Sequence, residues 1–299
     1  MESWIAFTIA AAFLQNLRNG LQKSINSVLS TAGAAYTRFA FGLPLAIIYW
    51  LVLRILIGDQ LDWGWLFWTY AFVGGAAQIL AMVSLLLAFS LRGFAVGTAY
   101  AKTETLQTAI FTIILLGETV SGQALIAITV SLFGVFMLSS VKSGRGIKDI
   151  LFSWTEKAAL YGLASAGLLG LSAVSYRGAA LSMHAEGVLL PAASTLVVAL
   201  TIQTVLMTAY LVLSEKGEIT KVWQNRNKAM LVGVASMLGS VGWFTAMTMQ
   251  NAAYVRALGQ VELIFTFLTS VLIFRERIAK AEIGGALLII GGVLILLLA

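Results

Sequence analysis

Two stretches, GTAYAKTETLQTAIFTIILLGE at residues 97–118 and VRALGQVELIFTFLTSVLIFRE at residues 255–276, decide how the chain is read. Each is an apolar block of about 20 residues, long enough to cross a bilayer, with one glutamate inside it and another at its end. A shift of 158, the difference between 262 and 104, lays Glu104 on Glu262 and Glu118 on Glu276. The same shift brings Gly75 onto Gly233, Ala99 onto Ala257, Thr108 onto Thr266 and Gly134 onto Gly292. Matches between small apolar residues come cheaply in this composition. Two glutamate matches at one offset do not, because Asp and Glu together number 13 in 299 residues.

Working outward, 60% of the residues are hydrophobic and 11% are charged, against about 25% charged in a soluble domain. The bilayer is the better solvent for such a chain. The expected fold is an all-α membrane protein of about ten spans, at 4–23, 34–57, 64–90, 94–116, 121–141, 157–176, 187–213, 228–249, 252–274 and 280–298. The first block runs into Arg18 and Lys23 with no small-residue cleavage pattern, so it reads as a span and not as a signal peptide. The polar stretch 142–156 reads as a cytoplasmic linker between a first five-span repeat, 1–141, and a second, 157–299. Five is odd, so the second repeat enters the membrane from the opposite side, the inverted-repeat arrangement of secondary transporters.

Basic residues set the orientation. Of the 19 Lys and Arg, 16 fall at the connections after spans 1, 3, 5, 7 and 9, and only Arg54, Arg177 and Arg256 fall on the other side. Both termini are therefore expected outside. The net charge of +6 belongs to this topology and implies no nucleic-acid partner. With no cysteine and one histidine, His184, which reads as a solvated loop residue, no thiolate or multi-histidine metal site is expected. No cofactor is expected either. Asp59, Asp62 and Asp149 all lie in predicted loops, so the paired intramembrane aspartates of a protease are missing and the chain does not read as an enzyme. There is no GxxxxGK[ST] loop for ATP and no TVGYG-like channel filter.

The mid-span glutamates, Gly117-Glu118 with Gly134 in span 5, and Arg275-Glu276 with Gly284, Gly285, Gly291 and Gly292 in span 10, resemble the drug/metabolite transporter superfamily, in its EamA-type form with two five-span repeats. Arg38, near the start of span 2, also resembles that family's pattern. The resemblance covers essentially the whole chain. Where the family often has proline after the mid-span glutamate, this chain has Thr105 and Leu263. The overall look is similar to the YddG-type bacterial exporters of aromatic and other neutral amino acids. The resemblance implies a basket of ten helices in a bacterial inner membrane, exporting a small molecule by alternating access, driven by its own gradient or by H⁺. Drugs, sugars and other metabolites are the alternative cargo.

Polar groups within spans are the candidate site residues. On span 4, Tyr100, Thr103, Glu104, Gln107 and Thr108 share one helical face. Lys102 either points into a cavity or snorkels to the surface. Glu104 and Glu262 either titrate and switch partners during transport or lock span 4 to span 1 and span 9 to span 6. Gln78, Ser84, Ser236, Ser240, Trp243 and Gln260 are further cavity candidates, with packing or lipid contact as the other reading of Trp243. Gln15, Arg18, Asn19 and Gln22 form a polar stripe, either a gate or a packed helix end. Pro44 and Pro191 are expected to kink spans 2 and 7. Gly284, Gly291 and Gly292 of span 10 would let helices approach closely, either in packing between the halves of a monomer or in a contact of a weak homodimer.

Overall fold

In the computed structural model the described residues are 2–58, 61–91, 94–143, 146–272 and 280–298, and the regular structure among them is helical. Asp59, Arg92, Arg145, Arg275, Glu276 and Arg277 lie outside the described residues. In chain order the helices are α1 (Ser3–Ile25), α2 (Thr31–Ala40), α3 (Gly42–Ile57), α4 (Trp65–Ser90), α5 (Phe94–Ala101), α6 (Glu104–Leu116), α7 (Gly122–Ser143), α8 (Ile147–Phe152), α9 (Lys157–Leu181), α10 (Leu189–Ser214), α11 (Glu218–Gln224), α12 (Arg226–Met249), α13 (Ala252–Leu258), α14 (Val261–Leu272) and α15 (Lys280–Leu297).

Six stretches among the described residues are helical, long and apolar enough to cross a membrane: Thr31–Ile57, Trp65–Ala88, Gly122–Ser140, Lys157–Leu181, Leu189–Ser214 and Arg226–Met249. The other four expected spans depart from that standard for visible reasons. Helix α1 is diluted by Gln15, Arg18, Asn19, Gln22 and Lys23. Spans 4 and 9 are each broken into two shorter helices, α5/α6 and α13/α14. The apolar part of α15, Ala281–Leu297, is short.

The element bounds repeat. The start of α2 at Thr31 lies 158 residues before the start of α10 at Leu189. The break after Ala101 recurs after Leu258, at the same place to within a residue. Both breaks form without proline. Instead the chain tightens into i→i−3 hydrogen bonds. Lys102 N–H donates to Ala99 O and Thr103 N–H to Tyr100 O, each at 3.1 Å. Gln260 N–H donates to Ala257 O at 3.2 Å, and Glu262 N–H to Gly259 O at 3.0 Å.

The two prolines differ in effect. Helix α2 ends at Ala40, four residues before Pro44 and just where the proline ring meets the i−4 carbonyl. Pro191 lies in the first turn of α10, where its missing N–H would have had no helical partner, and α10 runs unbroken to Ser214. The expected kink at Pro191 is therefore replaced by a helix start.

The helices group into two compact units, each drawing on both halves of the chain. The first unit comprises Met1–Ala76 and Ser175–Met249. Here α1 packs on α12, and glycines let the backbones approach: a Cβ at Gly242 would stand 2.9 Å from both Phe7 O and the Ala11 Cβ. Helix α12 also meets the α2–α3 corner, where a Cβ at Gly233 would lie 2.5 Å from that of Phe41. Buried Phe67, Ala71, Ala179 and Met183 make one core patch, and Leu53, Leu190 and Ala193 another. Side-chain hydrogen bonds that cross between helices in this unit include Trp50 to Ser194 at 2.8 Å, Gln203 to Tyr176 at 3.0 Å, and Thr208 to Tyr36 at 3.0 Å.

The first unit also holds a buried carboxylate outside the spans. Glu218, 4% exposed, accepts the Ser30 backbone N–H at the start of α2 and pairs with Lys221 at 3.0 Å. Glu215 accepts the Ser30 hydroxyl. Gly33 leaves the room: a Cβ there would fall 2.5 Å from Glu218 Oε1. Burial pushes the Glu218 carboxyl up, but hydrogen bonds from Ser30 and Lys221 outweigh it and hold the group below its ordinary value of 4.5.

The second unit comprises Ala77–Val174 and Gln250–Ala299. Its longest contact is α7 on α15. A Cβ at Gly134 would meet Gly285 O at 2.6 Å, and one at Gly285 would meet Gly134 O at 2.8 Å, so two bare backbones pack directly. Gly292 lies as close to Ala127 O, at 2.7 Å for its would-be Cβ, whereas Gly291 meets nothing within 4 Å. The packing expected of Gly284, Gly291 and Gly292 thus holds for Gly292, and for Gly284 against the end of the Met137 side chain at 2.8 Å, but not for Gly291, while Gly285, not among those three, packs on bare backbone. Val96, Ala99, Tyr100, Phe136 and Ala159 form a core around the Tyr100–Phe136 edge-to-face pair, with ring centroids 5.6 Å apart.

Candidate functional site

The second unit brings together most of the polar candidates of spans 4 and 9. Each helix break places a glutamate in the first turn of a new helix: Glu104 opens α6 and Glu262 lies at the second position of α14. A carboxylate there complements the positive end of the helix dipole and the N–H groups that lack intrahelical partners. That gives both glutamates a local reason to exist at a point where an apolar helix is interrupted.

Around the first break, Thr103 donates its hydroxyl to Tyr100 O at 2.7 Å, and the Gln107 amide donates to Thr103 Oγ1 at 3.0 Å and to Leu163 O at 3.3 Å. Thr103 and Gln107 therefore stabilise the break and tie it to α9. Gly167 admits the Gln107 amide, with 2.7 Å between Gln107 Oε1 and a would-be Cβ. Tyr100 is buried, and Lys102 is half-buried at the break itself. At the second break Gln260 is 8% exposed, and its side-chain oxygen has no hydrogen-bond partner.

One residue joins the two broken helices. Arg256 Nη2 lies 2.7 Å from Glu104 Oε1, with 17% and 15% of the two side chains exposed. No N–H is aligned on that oxygen, so the contact is Coulombic more than a directed hydrogen bond. Within this unit the partner of Glu104 is thus on α13. The position related to Arg256 by the shift of 158 is Thr98. The repeat is therefore asymmetric at this point: an arginine stands on one side and a threonine on the other. Sequence reasoning had counted Arg256 only as a basic residue of the outer side. Its place inside an apolar block, four residues before Gln260, was the signal available.

Gln78 and Ser84 of α4 also belong to the second unit, both half-buried. The Ser84 hydroxyl donates to Leu80 O at 2.9 Å within its own helix. Glu118 is half-buried at the end of α6, just beyond Gly117, which caps the helix at φ +65°.

In the first unit Trp243 is buried and donates its indole N–H to Gln15 Oε1 at 3.1 Å, so α1 and α12 share a hydrogen bond as well as glycine packing. Of the two serines on α12, Ser236 is buried and Ser240 half-buried. Arg18 donates to its neighbour Asn19 at 2.8 Å on the more exposed side of α1. Arg38 sets its guanidinium 4.5 Å over the Phe39 ring. Pro44 and Pro191 start α3 and α10 in this unit, as described above. His184, in the left-handed region at φ +47°, is exposed and lies 3.7 Å from Asp62. Among the described residues no group of three or more His, Asp or Glu is placed to hold a metal ion.

Among solved structures, one titled "Crystal structure of protein" matches at a TM-score of 0.75 and 18% identity, over 99% of this chain and 96% of that one. At that identity the likeness speaks for the fold. No match was found among curated proteins. The EamA-like transporter family model matches residues 157–298. With six membrane-length apolar helices and that match, the chain is a multi-pass membrane protein that carries an EamA-like transporter family domain at residues 157–298.

Proposed function

We propose that the protein is a secondary transporter that exports neutral and aromatic amino acids by alternating access. The observation that carries this reading is the pair of proline-free helix breaks, 158 residues apart, each with a glutamate at the start of the helix that follows. Discontinuous helices in repeated halves are how secondary transporters expose polar backbone to a substrate inside the membrane. On this reading ten segments cross the bilayer. The repeats at 1–141 and 157–299 run in opposite directions, joined by the cytoplasmic linker 142–156. The membrane is a bacterial inner membrane, with both termini outside.

Two features favour a neutral zwitterion over a highly anionic cargo. Lys102 is the only lysine within the broken helices, and Arg256 is already paired with Glu104. In the second unit Tyr100 supplies aromatic surface, and Gln78, Gln107, Gln260 and Ser84 supply neutral hydrogen-bonding groups. Transport runs down the substrate gradient, and coupling to H⁺ through Glu104 or Glu262 is the second form of the same reading.

Growth of a host challenged with a toxic fluorinated tryptophan tests this. Expression of the protein should raise tolerance to the analogue more than tolerance to a cationic dye. Protection against the dye alone would move the cargo to drugs.

A further inference from the structure

We propose that the connection from Glu215 to Lys228, between α10 and α12, is a docking surface for anionic phospholipid, with headgroup phosphates on Lys216, Lys221, Arg226 and Lys228 and acyl chains against the apolar side chains beside them. This goes beyond the transport reading and does not depend on the cargo.

Helices α10 and α12 are both long and apolar enough to cross a membrane, so the residues between them emerge at a bilayer surface. Val212 and Leu213 are exposed in the last turn of α10, and Met230 and Leu231 are exposed near the start of α12. Such side chains belong at the depth of the acyl chains. Arg226 and Lys228 precede Leu231 by five and three residues, about 5–8 Å along the helix at 1.5 Å per residue. The headgroup layer on each side of a bilayer is about that thick.

The connection sorts its charges. Both of its carboxylates turn onto Ser30: Glu218 accepts the backbone N–H and Glu215 the hydroxyl. Val222 is buried one turn beyond Glu218, and the Asn225 amide closes α11 by donating to Lys221 O at 2.9 Å. Lys216, Lys221, Arg226 and Lys228 are all exposed. Lys221 keeps 57% of its side chain accessible even while it pairs with Glu218. Trp223 is exposed too, with its ring 5.4 Å from that of Phe41. An indole with one side on protein and the rest open suits the membrane–water interface. The acidic groups are thus spent on the fold, and the cations are left to face the lipid.

The repeat supplies a comparison within the same unit. A shift of 158 carries Trp65 onto Trp223, and Trp65 is exposed as well. The interfacial indole is therefore present in both halves. The cations are not: Lys221 and Arg226 stand where the first half has Trp63 and Trp68, and Lys216 and Lys228 where it has Gly58 and Tyr70. Residues 57–70 contain no Lys or Arg, and they carry Asp59 and Asp62. Aromatic residues suffice to anchor a connection in the interface, as they do there. The cations of the second half add attraction for negative headgroups.

Tryptophan fluorescence tests this in phosphatidylcholine vesicles holding the protein, with a minor fraction of either dibrominated phosphatidylglycerol or dibrominated phosphatidylcholine as quencher. The Trp223 signal is wild type less W223F, and the Trp65 signal is wild type less W65F. The anionic lipid should quench Trp223 more than the zwitterionic one and show no such preference at Trp65. K216Q/R226Q/K228Q leaves the Lys221–Glu218 pair in place and should abolish the preference. In detergent, phosphatidylglycerol should raise the melting temperature, whereas phosphatidylcholine and free glycerol phosphate should not. The triple variant should need about tenfold or more lipid for the same rise, since each cation near an anionic surface is worth about fivefold.

Equal quenching of Trp223 by the two lipids, the same anionic preference at Trp65, or an undiminished response of the triple variant overturns the proposal. A melting rise with glycerol phosphate alone makes this a site for soluble anions, and the lipid assignment falls. If the triple variant does not fold, R226Q and K228Q decide it by the same titration. If Trp223 emits too weakly to resolve, the melting titration decides it.

Discussion

Arg256 of α13 and Glu104 of α6 meet at 2.7 Å, each at the inner end of a helix that its own span breaks off. A buried ion pair adds little net stability when both charges are present, because desolvation offsets the attraction. Removing one partner is different, since it leaves a charge with no counter-ion in a low-dielectric setting. R256A and E104A should each lower stability by about 3–5 kcal/mol, and E104Q/R256Q by clearly less than the sum. Melting of the detergent-solubilised variants in a double-mutant cycle reads this directly. Additive losses would show that the two residues do not interact.

Helix contacts through bare backbone leave no slack. G285A places a methyl 2.8 Å from Gly134 O, so α7 and α15 must separate, at about 1–3 kcal/mol. G291A is the internal control, because a methyl there meets nothing within 4 Å, and its melting should match wild type. Equal effects of the two substitutions would contradict the α7–α15 packing.

Glu218 gives the folded chain an acid-sensitive contact. Its carboxyl titrates lower in the folded chain than its ordinary value of 4.5. The contact therefore contributes fully above that value, and its contribution is lost as pH falls through the lowered one. E218Q should be less stable than wild type at neutral pH and should lose less on acidification, so that the two curves converge at low pH. G33A should mimic it, because its methyl would occupy the seat of the carboxylate. Parallel pH curves for wild type and E218Q would mean that the carboxylate is not titrating in this contact.

Much of this was legible in the sequence. The glutamate matches at 158 singled out spans 4 and 9 as related, because charged residues are scarce enough for their spacing to carry information. Apolar block length placed the helices to within a few residues, as it should where hydrophobicity and not local propensity decides. What could not be read was pairing. That Glu104 meets Arg256 depends on how α6 and α13 pack, and one-dimensional spacing holds no record of which spans touch. The breaks themselves were obscured because proline was the expected cause, whereas these turns rest on i→i−3 backbone bonds with Thr103 at one of them. Gly285 was passed over for Gly284, Gly291 and Gly292 because sequence does not say which side of a helix faces a partner.

The absence of cysteine makes orientation directly measurable. Single cysteines at Ser27 and Glu186 fall in the connections after α1 and after α9. With ten spans and both termini outside, a membrane-impermeant maleimide applied to intact cells should label E186C and spare S27C. The reverse pattern would turn the topology over, and labelling of both would remove the odd number of spans between them.

The account stands most directly on uptake of labelled tryptophan, threonine and a cationic dye by proteoliposomes holding the purified protein, with no ion gradient imposed. Saturable flux of the amino acids, with little of the dye, is the predicted result. Dye flux without amino-acid flux, or amino-acid flux that stays absent even under an imposed pH gradient, would contradict it.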